Sequence, residues 1–293
     1  MTMSTQTISQ RTVACILSCM LLALAACDHY DDPVIGIIPP CDESTAPLFS
    51  AMTSDVQRIL VEDFTAHQCG ACPPAGLELK KLTEDYPGQV VPLAIHAGQL
   101  ANTNAQFPID WTCPEGNQFW EDTQSTLNPV GRVNRLPEEG TFLAVSEWSE
   151  NVENLANNAP AAGMQLEVTY DENSLRTTAH VHITWFEDVA DVVRLSLLIS
   201  ESDLIAPQLW YPSANPPGPG LVEEYNHEYV LRGSMTGAKG LVISESPNAG
   251  DTQQECYTFQ WNPLWVAESA DMIALLTLSN GAVLQAISMP VAE

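Results

Sequence analysis

Cys69-Gly70-Ala71-Cys72 sets two thiols three positions apart, the spacing at which one can attack a disulfide and the other can resolve the mixed disulfide that forms. The pair precedes Pro73-Pro74, where a helix opens. Unpaired N–H groups and the helix dipole favour the thiolate there, so the pKa of Cys69 is expected below about 8.5. Cys69 is the expected attacking group and Cys72 the resolving one. His96 ends a second buried run, and parallel strands deliver their C-terminal ends to one sheet edge, so His96 and His67 are expected beside the dithiol. Protonated imidazoles there would stabilise the thiolate and hold the potential above about −250 mV, within the range of exchanging dithiols. Cys69, Cys72, His67 and His96 could also ligate zinc or copper. A permanent disulfide in an oxidising compartment is the third use of the pair.

The elements around the dithiol follow from hydrophobic pattern. Arg58 to Phe64 is a near-continuous apolar run of strand length, as in a strand covered on both faces. Leu77, Leu79 and Leu82 with Lys80, Lys81 and Glu84 describe an amphipathic helix that opens near Pro74 and stops at Tyr86-Pro87-Gly88. Val90 to Ile95 is a second buried strand, which completes a right-handed βαβ unit. A helix near Glu115 to Thr126 follows, then strands Val130 to Leu136 and Thr141 to Val145 around Pro137-Glu138-Glu139-Gly140. A helix from a Ser146 cap to Asn157 closes the unit.

Residues 57–158 thus read as an α/β domain. After the linker 158–163 the texture turns to alternation. Met164 to Tyr170, Thr177 to Trp185, Val192 to Ile199, Glu228 to Leu231, Cys256 to Trp261, Met272 to Leu278 and Ala282 to Ser288 predict an antiparallel β-sandwich over 164–293. Tyr211 to Gly220, rich in Pro and Gly, reads as a surface loop.

The chain of 293 residues carries 37 Asp and Glu against 10 Lys and Arg, a formal charge of −27. It offers no basic surface to a phosphate backbone, so nucleic acid is not an expected partner. Val13 to Ala26 is apolar and uncharged, too short for a bilayer-spanning helix of about 20 residues and suited to a secretory signal over residues 1–26. It ends in Leu24-Ala25-Ala26-Cys27, which looks like the bacterial lipobox. Cys27 is then the expected lipidated N-terminus and membrane anchor, since two or more acyl chains hold where one does not. Residues 27–56 read as its tether. Cys41, Cys113 and Cys256 remain, and three pairings among them stay open. His227-Glu228 resembles the start of a zinc-protease motif, but Leu231 fills the second histidine position.

Ile59 to Leu82 resembles the thioredoxin superfamily: Ile-Leu-Val, Asp63-Phe64, then Cys-Gly-x-Cys with the acid six residues ahead of the first cysteine. That resemblance implies that Asp63 assists proton transfer at Cys72 and that a cis-proline, best matched by Pro129, lies opposite the dithiol. Gln68 stands at the family's tryptophan and Pro73 at its basic residue. Four further segments, Glu62 to Pro73, Ala94 to Gly98, Pro129 to Arg135 and Tyr225 to Arg232, resemble the outer-membrane-protein-28-related lipoproteins, with Tyr229 at the place of a second histidine. Those are outer-membrane or surface proteins of Gram-negative bacteria, with a thioredoxin-like domain followed by a β-rich one. The resemblance implies a lipid-anchored extracytoplasmic chain. No cofactor is expected, and an extracytoplasmic protein is the expected partner. Thiol-disulfide exchange is one expected activity. The contrasting expectation is a surface binding protein in which the thioredoxin-like fold is only a scaffold.

Overall fold

A computed structural model describes residue 41 and residues 46–136 and 142–292. The signal segment 1–26, Cys27, most of the tether, the turn at 137–140 and the start of the strand at Thr141 lie outside the described residues.

β1 (Ile59–Thr65) is buried at every position, which is why its sequence shows an apolar run instead of alternation. It pairs in parallel with β2 (Val90–His96) through α1 (Pro73–Asp85), and antiparallel with β3 (Val130–Val133). Leu79, Leu82, Val61, Trp148 and Val152 share a core on one face of these strands, joining α1 to α3 (Trp148–Ala156). Phe64, Leu93, Ile95 and Phe119 of α2 (Pro114–Thr123) share a second core that includes the opposite-facing Leu60 of β1. Gly131 of β3 sits where a Cβ would run into the Trp148 ring and the Glu62 carbonyl, so α3 can approach only over a glycine.

The rest of the chain is strand after strand. β4 (Ala162–Asp171), β5 (Arg176–Trp185) and β11 (Thr252–Gln260) form one antiparallel sheet. β6 (Val193–Glu201), β12 (Ala270–Thr277) and β13 (Val283–Pro290) line up beside one another in a second, with β10 (Leu241–Ser244) on β6. Trp185, Trp261, Leu197 and Met272 are buried in the core that these two sheets share. Each such side chain contributes about 1.5–3 kcal/mol through the area it removes from water.

β9 (Val230–Ser234) then lies between β6 and β2, so one sheet runs β13-β12-β6-β9-β2-β1-β3 and, with β10 on β6, has eight strands. The sequence separates an α/β part from an all-β part at 158–163, yet the two parts share this sheet. Strand neighbours are fixed by hydrogen-bonding edges, and β9 completes the open edge of β2 through the parallel bridge Ala94 to Val230.

Several boundaries differ from expectation. The strand expected to begin at Glu228 begins at Val230, because Tyr229 adopts φ 59°. The helix expected to start from a Ser146 cap begins at Trp148 after a 3-10 turn, where the Glu147 carboxylate accepts the Ala144 N–H at 2.7 Å. The strand at 141–145 is represented among the described residues by a bridge from Leu143 to Gly131. The expected loop Tyr211 to Gly220 turns out to be the connection of a hairpin, β7 (Leu204–Trp210) with β8 (Gly220–His227), which forms its own two-stranded sheet.

Candidate dithiol site

β1 ends at Thr65 and the chain turns through residues 66–72 into α1. Cys69 donates its N–H to the Ala66 carbonyl at 3.0 Å, Cys72 donates to the Cys69 carbonyl at 3.1 Å, and Cys72 caps the helix. The two thiols are joined as a disulfide, with 5.4 Å between their Cα atoms. Pro129 follows a cis Asn128–Pro129 peptide, and Asn128 Nδ2 donates to the Phe64 carbonyl at 3.1 Å, at the end of β1 that leads into the loop.

Both cysteines are buried, Cys69 at 3% exposure and Cys72 at 2%. The cover is β7. Leu209 donates its N–H to the His67 carbonyl at 2.9 Å, and Tyr211 donates to the Gly70 carbonyl at 2.8 Å. Gln208 Nε2 reaches the Cys69 and Ala66 carbonyls at 3.1 and 3.3 Å. The Tyr211 ring lies on Gly70 so closely that a Cβ there has no room.

Behind the disulfide a cavity of about 260 Å³ is lined by Asp63, Cys72, His96, Gln208, Tyr225 and His227 among others. Asp63 is 2% exposed, and its Oδ1 has no hydrogen-bond partner among the described residues. Burial pushes its pKa up to about 8, because an unpaired carboxylate in a low-dielectric site is costly. At neutral pH this carboxyl holds a proton one cavity away from Cys72.

His96 and His227 face one another at 5.3 Å between ring centroids, with Tyr225 4.9 Å from His227 and His67 6.3 Å from His96. His67 stacks on Phe107, and its Nε2 lies 3.0 Å from the Asn102 carbonyl. Burial lowers all three: His67 below the usual histidine range, His96 well below it with His227, His67 and Arg232 adding to the effect, and His227 down to about 4. The charged imidazoles expected beside the dithiol are therefore neutral at pH 7 and supply no cation to the thiolate. His96 Nδ1 and His227 Nε2 have no hydrogen-bond partner among the described residues.

On the other face of β1, Glu62 is fully buried between Arg132 and Arg135, at 2.8 and 3.0 Å. Burial alone would raise its pKa, but the two guanidiniums hold the carboxyl below its ordinary range.

Of the three remaining cysteines, Cys41 and Cys256 are paired as a disulfide and Cys113 is free and buried. His180 Nε2 is 3.8 Å from Cys256 Sγ, and Cys41, His180 and Cys256 are the ligand-type side chains that converge among the described residues. In the disulfide state neither Cys69 nor Cys72 offers a thiolate to a metal held with His67 and His96.

The sequence reading singled out Cys69, Cys72, Asp63, Pro129, His67 and His96, and the structure brings Asp63, Cys72 and His96 to one cavity. It missed Gln208, Tyr211 and Tyr225, and it set His227 aside. Pro207 in the middle of β7 hid that strand, since proline is depleted in strands. The available signal was Tyr225-Asn226-His227, one of the segments that carried the family resemblance.

The model of the family described as outer membrane protein Omp28 matches residues 116–292, from α2 to the end of the chain and not including the dithiol. Among solved structures, HBP35 of Porphyromonas gingivalis is 17% identical with a TM-score of 0.60, over 82% of this chain and 77% of that one. That likeness is one of fold. A protein of Agrobacterium tumefaciens is 12% identical with a TM-score of 0.48, over 82% of this chain and 97% of that one. A domain of the outer membrane lipoprotein Omp28 from Porphyromonas gingivalis is 15% identical with a TM-score of 0.30, over 45% of this chain and 89% of that one. No curated protein matches the sequence.

Proposed function

The chain belongs to the outer membrane protein Omp28 family, and on that premise we propose that it is a lipoprotein that exchanges its Cys69–Cys72 disulfide with cysteines of an extracytoplasmic partner. Its location is the outer membrane, as for the family. No helix among the described residues is long and apolar enough to cross a membrane, and the anchor in this reading is the lipidated Cys27. A Cys27→Ser variant is expected to lose metabolic labelling by fatty acid and to leave the membrane fraction. Retention of both would overturn the anchor assignment.

The observation that carries the exchange reading is the buried Asp63, with Oδ1 unpartnered, in the cavity that Cys72 lines. A partner thiolate attacks Cys69 Sγ, the Cys69–Cys72 bond breaks, and Cys72 leaves as a thiolate that takes the Asp63 proton through the cavity. The partner's second thiolate then attacks its own sulfur in the mixed disulfide and releases Cys69, so the partner is oxidised and the dithiol reduced by two electrons. The strand order β3-β1-β2, with β1 parallel to β2 and antiparallel to β3, supports a thioredoxin-like arrangement for residues 57–158, and the sheet of β4, β5 and β11 over β6, β12 and β13 supports a sandwich for 164–293. A Cys72→Ser variant is expected to trap a mixed disulfide through Cys69. If Cys69 of this variant alkylates but traps no extracytoplasmic protein, exchange is not the function.

One observation favours a second reading, a binding lipoprotein that uses the fold as a scaffold: the family match begins at residue 116, beyond the dithiol. In that case the Cys69→Ser/Cys72→Ser double variant keeps its partner, and changes in the loops of the β-rich part lose it.

A further inference from the structure

β7 makes with the dithiol loop the contacts that a foreign strand would make. Its Leu209 and, just past its end, Tyr211 donate their backbone N–H groups to the His67 and Gly70 carbonyls on either side of Cys69, and its Gln208 side chain donates to the Cys69 carbonyl. Tyr211 seals the loop over Gly70. Among the described residues the strands of the β7–β8 hairpin pair only with each other, unlike β6 or β12, which are held by strands on both sides. The hairpin is held to the large sheet by side chains alone, Ala206 on Val230 of β9 and His227 on His96 of β2, and main-chain hydrogen bonds such as those to the loop are the currency of strand-addition recognition.

We propose that the carbonyl edge of the dithiol loop at His67 and Gly70 is the docking edge for an extended cysteine-bearing segment of a partner protein, and that the β7–β8 hairpin occupies it as a displaceable cap. The proposal rests on the exchange reading and adds to it the form of the substrate and the condition for reaction. With Cys69 3% exposed, no thiolate reaches its sulfur along the S–S axis until the hairpin lifts. A partner strand that takes over the hydrogen bonds of Leu209 and Tyr211 compensates for the opening, so an extended peptide is a better substrate than a small thiol of equal reducing power. The redox step is the one balanced above: the partner dithiol supplies both electrons and leaves as a disulfide.

Two substitutions lift the cap from opposite sides. Tyr211→Ala removes the ring that seals the loop, and Gly70→Ala inserts a methyl group where that ring lies. The full-length oxidised protein is mixed with dithiothreitol or with a reduced extended peptide containing two cysteines, and the freed thiols are counted by alkylation and mass spectrometry. Each variant is expected to react with dithiothreitol at least tenfold faster than the wild type. The Leu209 and Tyr211 amides should exchange hydrogen faster, while those of β6 and β12 stay protected, which shows the fold intact. The peptide, by displacing the hairpin, is expected to speed hydrogen exchange of the Leu209 amide in the wild type and to become oxidised by all three proteins. Equal reaction rates in the wild type and both variants, with the Leu209 and Tyr211 amides released, overturn the cap. Faster reaction with dithiothreitol while the peptide stays reduced overturns the exchange reading and leaves the hairpin a cover without a substrate.

Discussion

Glu62 and Asp63 are consecutive on β1, both buried, and the first is held ionised while the second is held protonated. Alternation along a strand sends them to opposite faces. On one face Arg132 and Arg135 meet the carboxylate, and on the other Asp63 lines the cavity behind Cys72 with no ion pair among the described residues, although Lys80 lines the same cavity. Two neighbouring carboxyls thus take opposite protonation states because of the faces they occupy.

Asp63→Asn should stabilise the protein at alkaline pH. The folded pKa of about 8 lies above the ordinary 3.8, so the folded state binds the extra proton between these values. Stability from this group is present at acid pH and is lost as pH rises from about 4 to about 8. Urea denaturation at pH 8 should find the variant more stable by about 2–5 kcal/mol, with the two proteins converging near pH 4. A variant weaker than wild type at pH 8 would show that Asp63 is ionised and paired. The same variant should resolve mixed disulfides more slowly.

Glu62→Gln should act in the opposite direction. It leaves two guanidiniums that are about one-tenth exposed without their carboxylate, a loss of about 3–5 kcal/mol when a buried pair loses one partner. Because the folded pKa is depressed, the contribution is present above about pH 4.5 and lost as pH falls through the lower folded value. A denaturation midpoint unchanged at pH 7 would refute the pairing.

His227→Gln should reduce acid sensitivity. With the folded pKa at about 4, the unfolded chain binds the proton first as pH falls from 6.5, so wild-type stability declines across that window. His96 and His67, also lowered and facing the same cluster, add to the decline. The variant is expected to lose about 1–3 kcal/mol less than the wild type between pH 6.5 and 4.5. Asp63 works against this trend, so the comparison is best made on an Asp63→Asn background. Identical pH profiles for the two proteins would place charge on His227 in the folded state.

Cys113 should resist alkylation in the native protein. Burial pushes its thiol up to about 12, and Sγ accepts the Gly116 N–H at 3.3 Å. Mass spectrometry after iodoacetamide should find the label at Cys113 only once urea is added, with Cys41, Cys256, Cys69 and Cys72 unlabelled until a reductant follows. Native labelling of Cys41 or Cys256 would contradict their disulfide.

The sequence alone determined the elements whose signals are local. The apolar run of β1, the proline-opened helix α1 and the buried run of β2 were readable because periodicity and caps act within a few residues, and the C-x-x-C spacing followed from chain order. The alternating strands β4, β5, β6, β12 and β13 were readable for the same reason. The charge balance made nucleic acid an unexpected partner. Only the tertiary structure decided that β9 leaves the all-β part to complete the edge of β2, that β7 lies over Cys69, and that His67, His96 and His227 are neutral. Each of these depends on partners far along the chain: Val230 meets Ala94, Leu209 meets His67, and His227 meets His96. Burial, which sets the protonation of Asp63 and the reach of Cys69, is a property of such neighbours and has no signature in the spacing of the residues themselves.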